Sequence, residues 1–301
     1  MSTPELAAGE QVERRAERAL FRALFDDAAV FPPGLTPLPQ AVTDHVARQS
    51  NSYADLVGPL LLPAAAIKDF PRLERPKQVG VALIGRPGTD LILVADALSQ
   101  LNENPDVTVA GVEIGWSPDW HQALSWGASL SIEVPRGPGL ERALSDLQEH
   151  GDDPNPVQAK FRTGSTPSDP VPTPTELATF IRACVDHDLG FKLTGGLHHA
   201  ISQTSVSQTS TRHTSAGVED QFGFLNVIAA TRWALAHGAE VPEMESLLCQ
   251  RDPVPILDII TRMSEADASV LRAFFTAYGC CGVMDPIRDL AALGLIAERA
   301  V

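Results

Sequence analysis

Apolar positions along this chain fall into two rhythms. Short runs rich in Val, Leu, Ile and Phe, bounded by Gly or Pro, recur at 23–34, 56–64, 78–85, 107–116, 129–136, 157–164, 190–196 and 222–228. Their length and punctuation predict strands. Between them the spacing turns helical, near 38–49, 90–102, 138–150 and 174–189, with a shorter piece near 65–72 and a Glu- and Arg-rich surface helix over about 4–24. The segment 90–102 fits either period, and its length and Ala, Leu and Gln content favour helix. The best-marked helix follows Thr173, a plausible N-cap with Pro174 at the first helical position and Glu176 completing a capping box. Leu177, Phe180, Ile181, Cys184 and Val185 form its apolar stripe, and Gly190 closes it.

Strands separated by helices predict an α/β fold with a parallel sheet. Eight of them predict a (β/α)8 TIM barrel, which takes about 250 residues. The expected division is a barrel over 1–242 with an N-terminal helix, then an appended C-terminal helical segment over 243–301 packed on it. The segment 202–220, "SQTSVSQTSTRHTSAGVED", is almost devoid of apolar residues and reads as a mobile polar insertion in the barrel, either a bland surface loop or a lid.

Side chains alternate along a strand, and that alternation brings the chemistry together. In 157–164, Gln158, Lys160 and Arg162 share one face while Val157, Ala159 and Phe161 share the other. In 190–196, Lys192 and Thr194 oppose Phe191 and Leu193. The apolar faces suit packing under outer helices, so both lysines are expected to point into the barrel on neighbouring strands. Two close ammonium groups disfavour each other's charge, and a lysine kept partly neutral is a nucleophile for carbonyl compounds. Glu113 and Glu133 fall on faces that carry them inward as well. A TIM-barrel site lies at the C-terminal rim of its strands, so Lys160, Lys192 and Glu113 are the candidate catalytic residues. Structural ion pairing is the competing reading.

The runs "AKFRTG" (159–164) and "FKLTGG" (191–196), with one helix between them, resemble the Schiff-base strand and the following lysine strand of class I deoxyribose-phosphate aldolases. Fainter similarity extends to "LFDDAAVFPPG" and "PLLLPAAAIKDF", so the resemblance spans about residues 21–230. It implies Lys160 as the imine-forming lysine and Lys192 as its pKa-lowering or proton-handling partner. Three departures point away from deoxyribose phosphate as substrate. Glu113 stands where the family has an aspartate. "FGFLNVIAA" replaces the family's small-residue phosphate cradle. Arg162 and the pair His198-His199 are additions near the lysines. A small carbonyl compound is therefore the expected partner, non-phosphorylated or carrying a carboxylate that Arg162 could fork. Gly195, Gly196, His198, Glu133 and Asp27 are candidate substrate contacts. Asn226 joins them, reading equally as a helix cap. Adjacent His198 and His199 should point apart, so one alone should face the site.

Composition narrows the classes further. The 301 residues carry a net charge of -15, which repels nucleic acids and anionic membranes. No apolar run approaches a membrane span. The N-terminal "MSTPELAAGEQVERRAERAL" does not read as a signal peptide. The four cysteines form no CxxC pair and suit a reducing compartment, so the expectation is cytoplasmic. No dinucleotide fingerprint, P-loop or HxxxH spacing is present, so no cofactor and no metal are expected. Composition leaves homo-oligomerisation open. Two rivals stand beside the aldolase-like lyase: a metal-assisted lyase or hydrolase using Glu113, Glu133 and His198, and a non-catalytic barrel that binds a small molecule.

Overall fold

The computed structural model describes residues 18–70, 78–151, 154–164, 170–206 and 218–297. Eight parallel strands close into a barrel: β1 (Phe25–Asp27), β2 (Val57–Pro63), β3 (Val79–Ile84), β4 (Val107–Gly115), β5 (Leu130–Glu133), β6 (Val157–Arg162), β7 (Phe191–Thr194) and β10 (Phe275–Cys280). Strands β8 (Gln203–Val206) and β9 (Val218–Gln221) form a separate antiparallel pair. Part of the segment expected to be a structureless polar insertion is therefore a hairpin. The intervening 207–217, and most of the helix expected over 4–24, lie outside the described residues.

Seven predicted strands sit where the apolar runs placed them. The eighth does not. Residues 222–228 begin the helix Phe224–His237, and the barrel is closed by β10, which pairs with β1 on one side and β7 on the other. Residues 243–301 are thus no appendage. They supply the closing strand and the helix Met284–Ala292 that follows it. Helices Phe224–His237, Val241–Cys249, Pro253–Thr261 and Glu265–Phe274 fill the connection from the hairpin to β10. The helix Phe224–His237 is buried on several sides, with Phe224 to Thr231 all inaccessible, and a run apolar all round carries no helical stripe to read.

The other elements follow from local chemistry. Thr173 and Glu176 make the reciprocal capping box that starts the helix Pro174–Asp186. Asp90 caps the helix Leu91–Asn102 through Ile92 N. The piece expected as a helix near 65–72 is a 3-10 turn over Ala64–Asp69. Alternation holds over the C-terminal halves of β2 to β4 and along β5 to β7, while β10 breaks it with a register shift between Phe275 and Ala277. Leu60, Leu62, Val81, Leu83, Val112, Ile114, Leu130, Ile132, Phe161 and Phe191 belong to the main core under the helices. A band of rings runs along that layer, with Phe161 stacked on Phe180 at 4.5 Å and Phe191 on Phe275 at 5.4 Å. The opposite faces of the same strands point to the barrel axis. No helix among the described residues is long and apolar enough to cross a membrane.

Candidate active site

Register decides what meets on the axis. Lys160 pairs with Lys192 across β6 and β7, Glu133 with Lys160 across β5 and β6, and Glu113 with Ser131 across β4 and β5. The inward face of β1 adds Asp26. Lys160 Nζ lies 2.8 Å from Glu113 Oε2 and 3.0 Å from Glu133 Oε2. Lys192 Nζ donates to Asp26 Oδ2 and to Glu113 Oε1. The result is one chain of contacts, Glu133–Lys160–Glu113–Lys192–Asp26, with every member buried. Beneath it a neutral layer links Gln158 to Ser131 Oγ at 2.8 Å and accepts from Thr276 Oγ1 at 2.6 Å.

The electrostatics of this chain differ from the bare lysine pair expected. Glu113 stands between the two ammonium groups. Burial pushes its pKa up, but Lys160 and Lys192 outweigh burial and hold it at about 2. Lys192 is likewise disfavoured as a cation by burial, yet Asp26 and Glu113 raise its pKa. Lys192 therefore holds its proton tightly rather than acting as an uncompensated charge beside Lys160. Glu133 is lowered, Lys160 and Arg162 overcoming its burial. Asp26 goes the other way. Its desolvation exceeds the help it gets from Lys192, and its pKa rises to about 6. Its Oδ1 is buried with no hydrogen-bond partner.

A cavity of about 700 Å³ opens above this chain at the C-terminal ends of the strands. Lys160, Glu113 and Glu133 form part of its floor, and Lys192 lies beneath the lining. Thr194, Gly195 and Gly196 carry the wall at the end of β7. Gly195 and Gly196 adopt φ of 76° and 75°, and a Cβ on Gly196 would sit 3.0 Å from Thr163 O. The two glycines let the loops after β6 and β7 pass in contact, sealed by Thr163 Oγ1 donating to Gly195 O. His198 also lines the cavity, while His199 turns away to Asp289 at 3.2 Å, as neighbouring residues should. His198 Nε2 is 3.6 Å from Cys281 Sγ, and its Nδ1 is 3.5 Å from Asp285.

Two expected contacts fall elsewhere, and a third is already engaged. Asp27 faces outward from β1, where His45 lies at 3.0 Å and Arg48 donates at 2.7 Å. A one-residue step in a three-residue strand exchanged it for Asp26. Asn226 is buried in a helix outside the barrel. Its Oδ1 accepts from Ser202 N at 2.9 Å, and its Nδ2 donates to Leu247 O and Gln250 O, so it fastens a connection and does not line this cavity. Arg162 does line the cavity, but its fork is occupied by Glu133 at 2.9 and 3.2 Å. The site also holds residues the strand pattern did not single out, Phe31, Arg86, Trp116 and Arg136 among them. Trp116 is fixed by its Nε1 donating to Asp146 at 2.7 Å, a carboxylate shared with Trp120 and His121. Arg136 donates to Pro170 O at 2.6 Å and to Arg162 O at 3.2 Å. No group of three or more His, Cys, Asp or Glu among the described residues could hold a metal ion.

Fold and site together define a (β/α)8 barrel with an interlocked lysine–carboxylate chain under an open cavity. A solved structure described as "QR15, an Aldolase" has a similar fold, with a TM-score of 0.48 at 11% sequence identity, over 92% of this chain and 99% of that one. No protein-family model matches the sequence, and no curated protein matches it.

Proposed function

We propose that the cavity performs aldolase-like carbonyl chemistry through an imine on Lys160. The observation that carries this reading is the position of Lys160, an amine only 3% exposed yet on the cavity floor, held between Glu113 and Glu133. An amine buried there can meet only a molecule that enters the cavity. Lys192, clamped below, has no such access.

Attack requires Lys160 to shed a proton. Asp26 ends the contact chain beyond Glu113 and Lys192, and its pKa of about 6 makes it the most basic carboxylate of that chain, ionised near neutrality and able to accept a proton. The freed amine adds to the carbonyl carbon, and loss of water leaves a C=N bond. Protonated, that imine draws in the electron pair of the Cα–Cβ bond as it breaks, leaving an enamine on Lys160, while a base takes the proton of the β-hydroxyl, whose carbon leaves as the second carbonyl compound. Glu133 and His198 face the cavity for that transfer. Since Arg162 is committed to Glu133, a substrate carboxylate would meet Arg86. Among the described residues Arg86 stacks 5.5 Å over Phe31 and makes no ion pair.

Borohydride trapping tests the reading. Small aldehydes, ketones and 2-oxo acids are incubated with the protein and reduced, and adducts are located by peptide mass spectrometry. The expected result is a mass increase on Lys160 above that of exposed lysines, absent in Lys160→Ala. Labelling of Lys160 no higher than surface lysines by any compound would remove the imine reading.

A further inference from the structure

The barrel interior is split into two halves of opposite character. From β4 round to β7 the inward side chains near the mouth are Glu113, Glu133, Lys160 and Arg162. From the end of β1 round to β3 they are apolar, with the carboxylate of Asp26 lying deeper on β1. Ala28, Leu61, Ala82 and Ile84 form a hydrophobic cluster apart from the main core, capped by Phe31. Gly279 on β10 leaves the space that Leu61 crosses. A Cβ there would come within 3.0 Å of Leu61 Cδ1. Ala28, Leu61 and Ile84 all line the cavity, so this cluster is a wall of the site and not a plug beneath it.

We propose that the substrate is a carbonyl compound bearing an apolar group, an alkyl chain or an aromatic ring, and not a polyhydroxylated one; this rests on the imine reading for Lys160. A hydroxyl turned to Leu61, Ala82 and Ile84 would lose water and find no side-chain donor or acceptor among them; the polar groups bordering this half are Arg86, over Phe31, and Thr194, beside Gly279. An apolar group on the same wall is removed from water against Leu61, Ile84 and Phe31. The polar half fixes the carbonyl end at Lys160, so a molecule with one reactive polar end and one greasy end matches the cavity in both places. The pattern follows from sequence. The inward positions of β2 and β3 are Leu61, Ala82 and Ile84, whereas those of β4, β5 and β6 include Glu113, Glu133 and Lys160.

Two measurements test it together. The first compares borohydride trapping on Lys160 by 3-phenylpropanal and by glyceraldehyde, each normalised to labelling of exposed lysines. The expected half-saturating concentration is lower for 3-phenylpropanal by about tenfold or more, in line with differences of one or a few methylenes in an apolar pocket. Ile84→Thr should shrink that ratio. The second uses saturation-transfer NMR with 3-phenylpropanol and glycerol, neither of which can form an imine, on the native protein and on Lys160→Ala. Binding of the aryl alcohol but not glycerol to both proteins supports the wall even if no aldehyde traps, in which case the imine reading alone fails. Equal or tighter trapping of glyceraldehyde, or glycerol binding as well as the aryl alcohol, overturns the proposal.

Discussion

Asp26 offers the sharpest test of the electrostatics, and Asp26→Asn is the perturbation. In the folded protein its pKa is raised from 3.8 to about 6 because burial disfavours the carboxylate more than Lys192 favours it. That displacement corresponds to about 3 kcal/mol. The sign follows from proton counting. Between pH 4 and 6 the unfolded chain has released the proton while the folded chain keeps it. Stability therefore falls as pH rises through this window, by up to about 1.4 kcal/mol per unit. Below pH 4 both states are protonated, above pH 6 both are ionised, and the contribution is flat. Asp26→Asn has no proton to lose. Urea unfolding followed by circular dichroism at half-unit steps from pH 4 to 7 should give a native-minus-variant difference that drops by about 3 kcal/mol across the window. Titrations of groups that do not touch Asp26 cancel in the difference. Parallel curves would refute the reasoning, and with it the use of Asp26 as the proton acceptor of the contact chain.

Glu113→Gln leaves two buried ammonium groups sharing fewer carboxylates. It should cost about 3–5 kcal/mol at pH 7 by urea unfolding and remove borohydride trapping on Lys160. In the native protein Glu113, held at about 2 against an ordinary 4.5, contributes stability fully present above pH 4.5 and lost as pH falls toward 2. Acid unfolding of Glu113→Gln should lack that component. Gly58→Ala places a Cβ where the Asp26 carboxylate now sits. It should destabilise by about 1–3 kcal/mol and shift the pH window described for Asp26. Asn226→Leu deletes buried hydrogen bonds to Ser202, Leu247 and Gln250. A loss of about 3 kcal/mol in urea stability is expected, with the half-saturating concentration for Lys160 trapping unchanged. A changed value would return Asn226 to the site.

The inward lysine pair was legible because β6 and β7 alternate cleanly, with Phe161, Phe191 and Leu193 marking the outer face. Glu113 and Glu133 followed by the same logic. The apolar half of the interior was written in Leu61, Ala82 and Ile84, but inside long apolar runs, where inner and outer positions look alike. The closing strand was hidden for another reason. The helix Glu265–Phe274 runs into β10 at Phe275 with no Gly or Pro between them, so the helical pattern absorbed the strand. The apolar start of the helix Phe224–His237 then took its place in the count. Asp26 and Asp27 could not be ordered, because a strand of three residues gives too few alternations to set its register.

The placement of β10 also has a consequence for how the chain folds. Its Tyr278 sits opposite Phe25, roughly 250 residues away, and contacts so distant in sequence slow folding because the intervening loop must be closed first. Until β10 arrives, β1 and β7 both present unpaired backbone, and open strand edges invite pairing with other chains. Asp26, on one of those edges, meets its lysine only when the ring is nearly complete. Translation from the N-terminus would thus produce Lys160 and Lys192 long before the strand that shuts the barrel around them, leaving a late intermediate that is rich in strands, open on two sides and prone to associate.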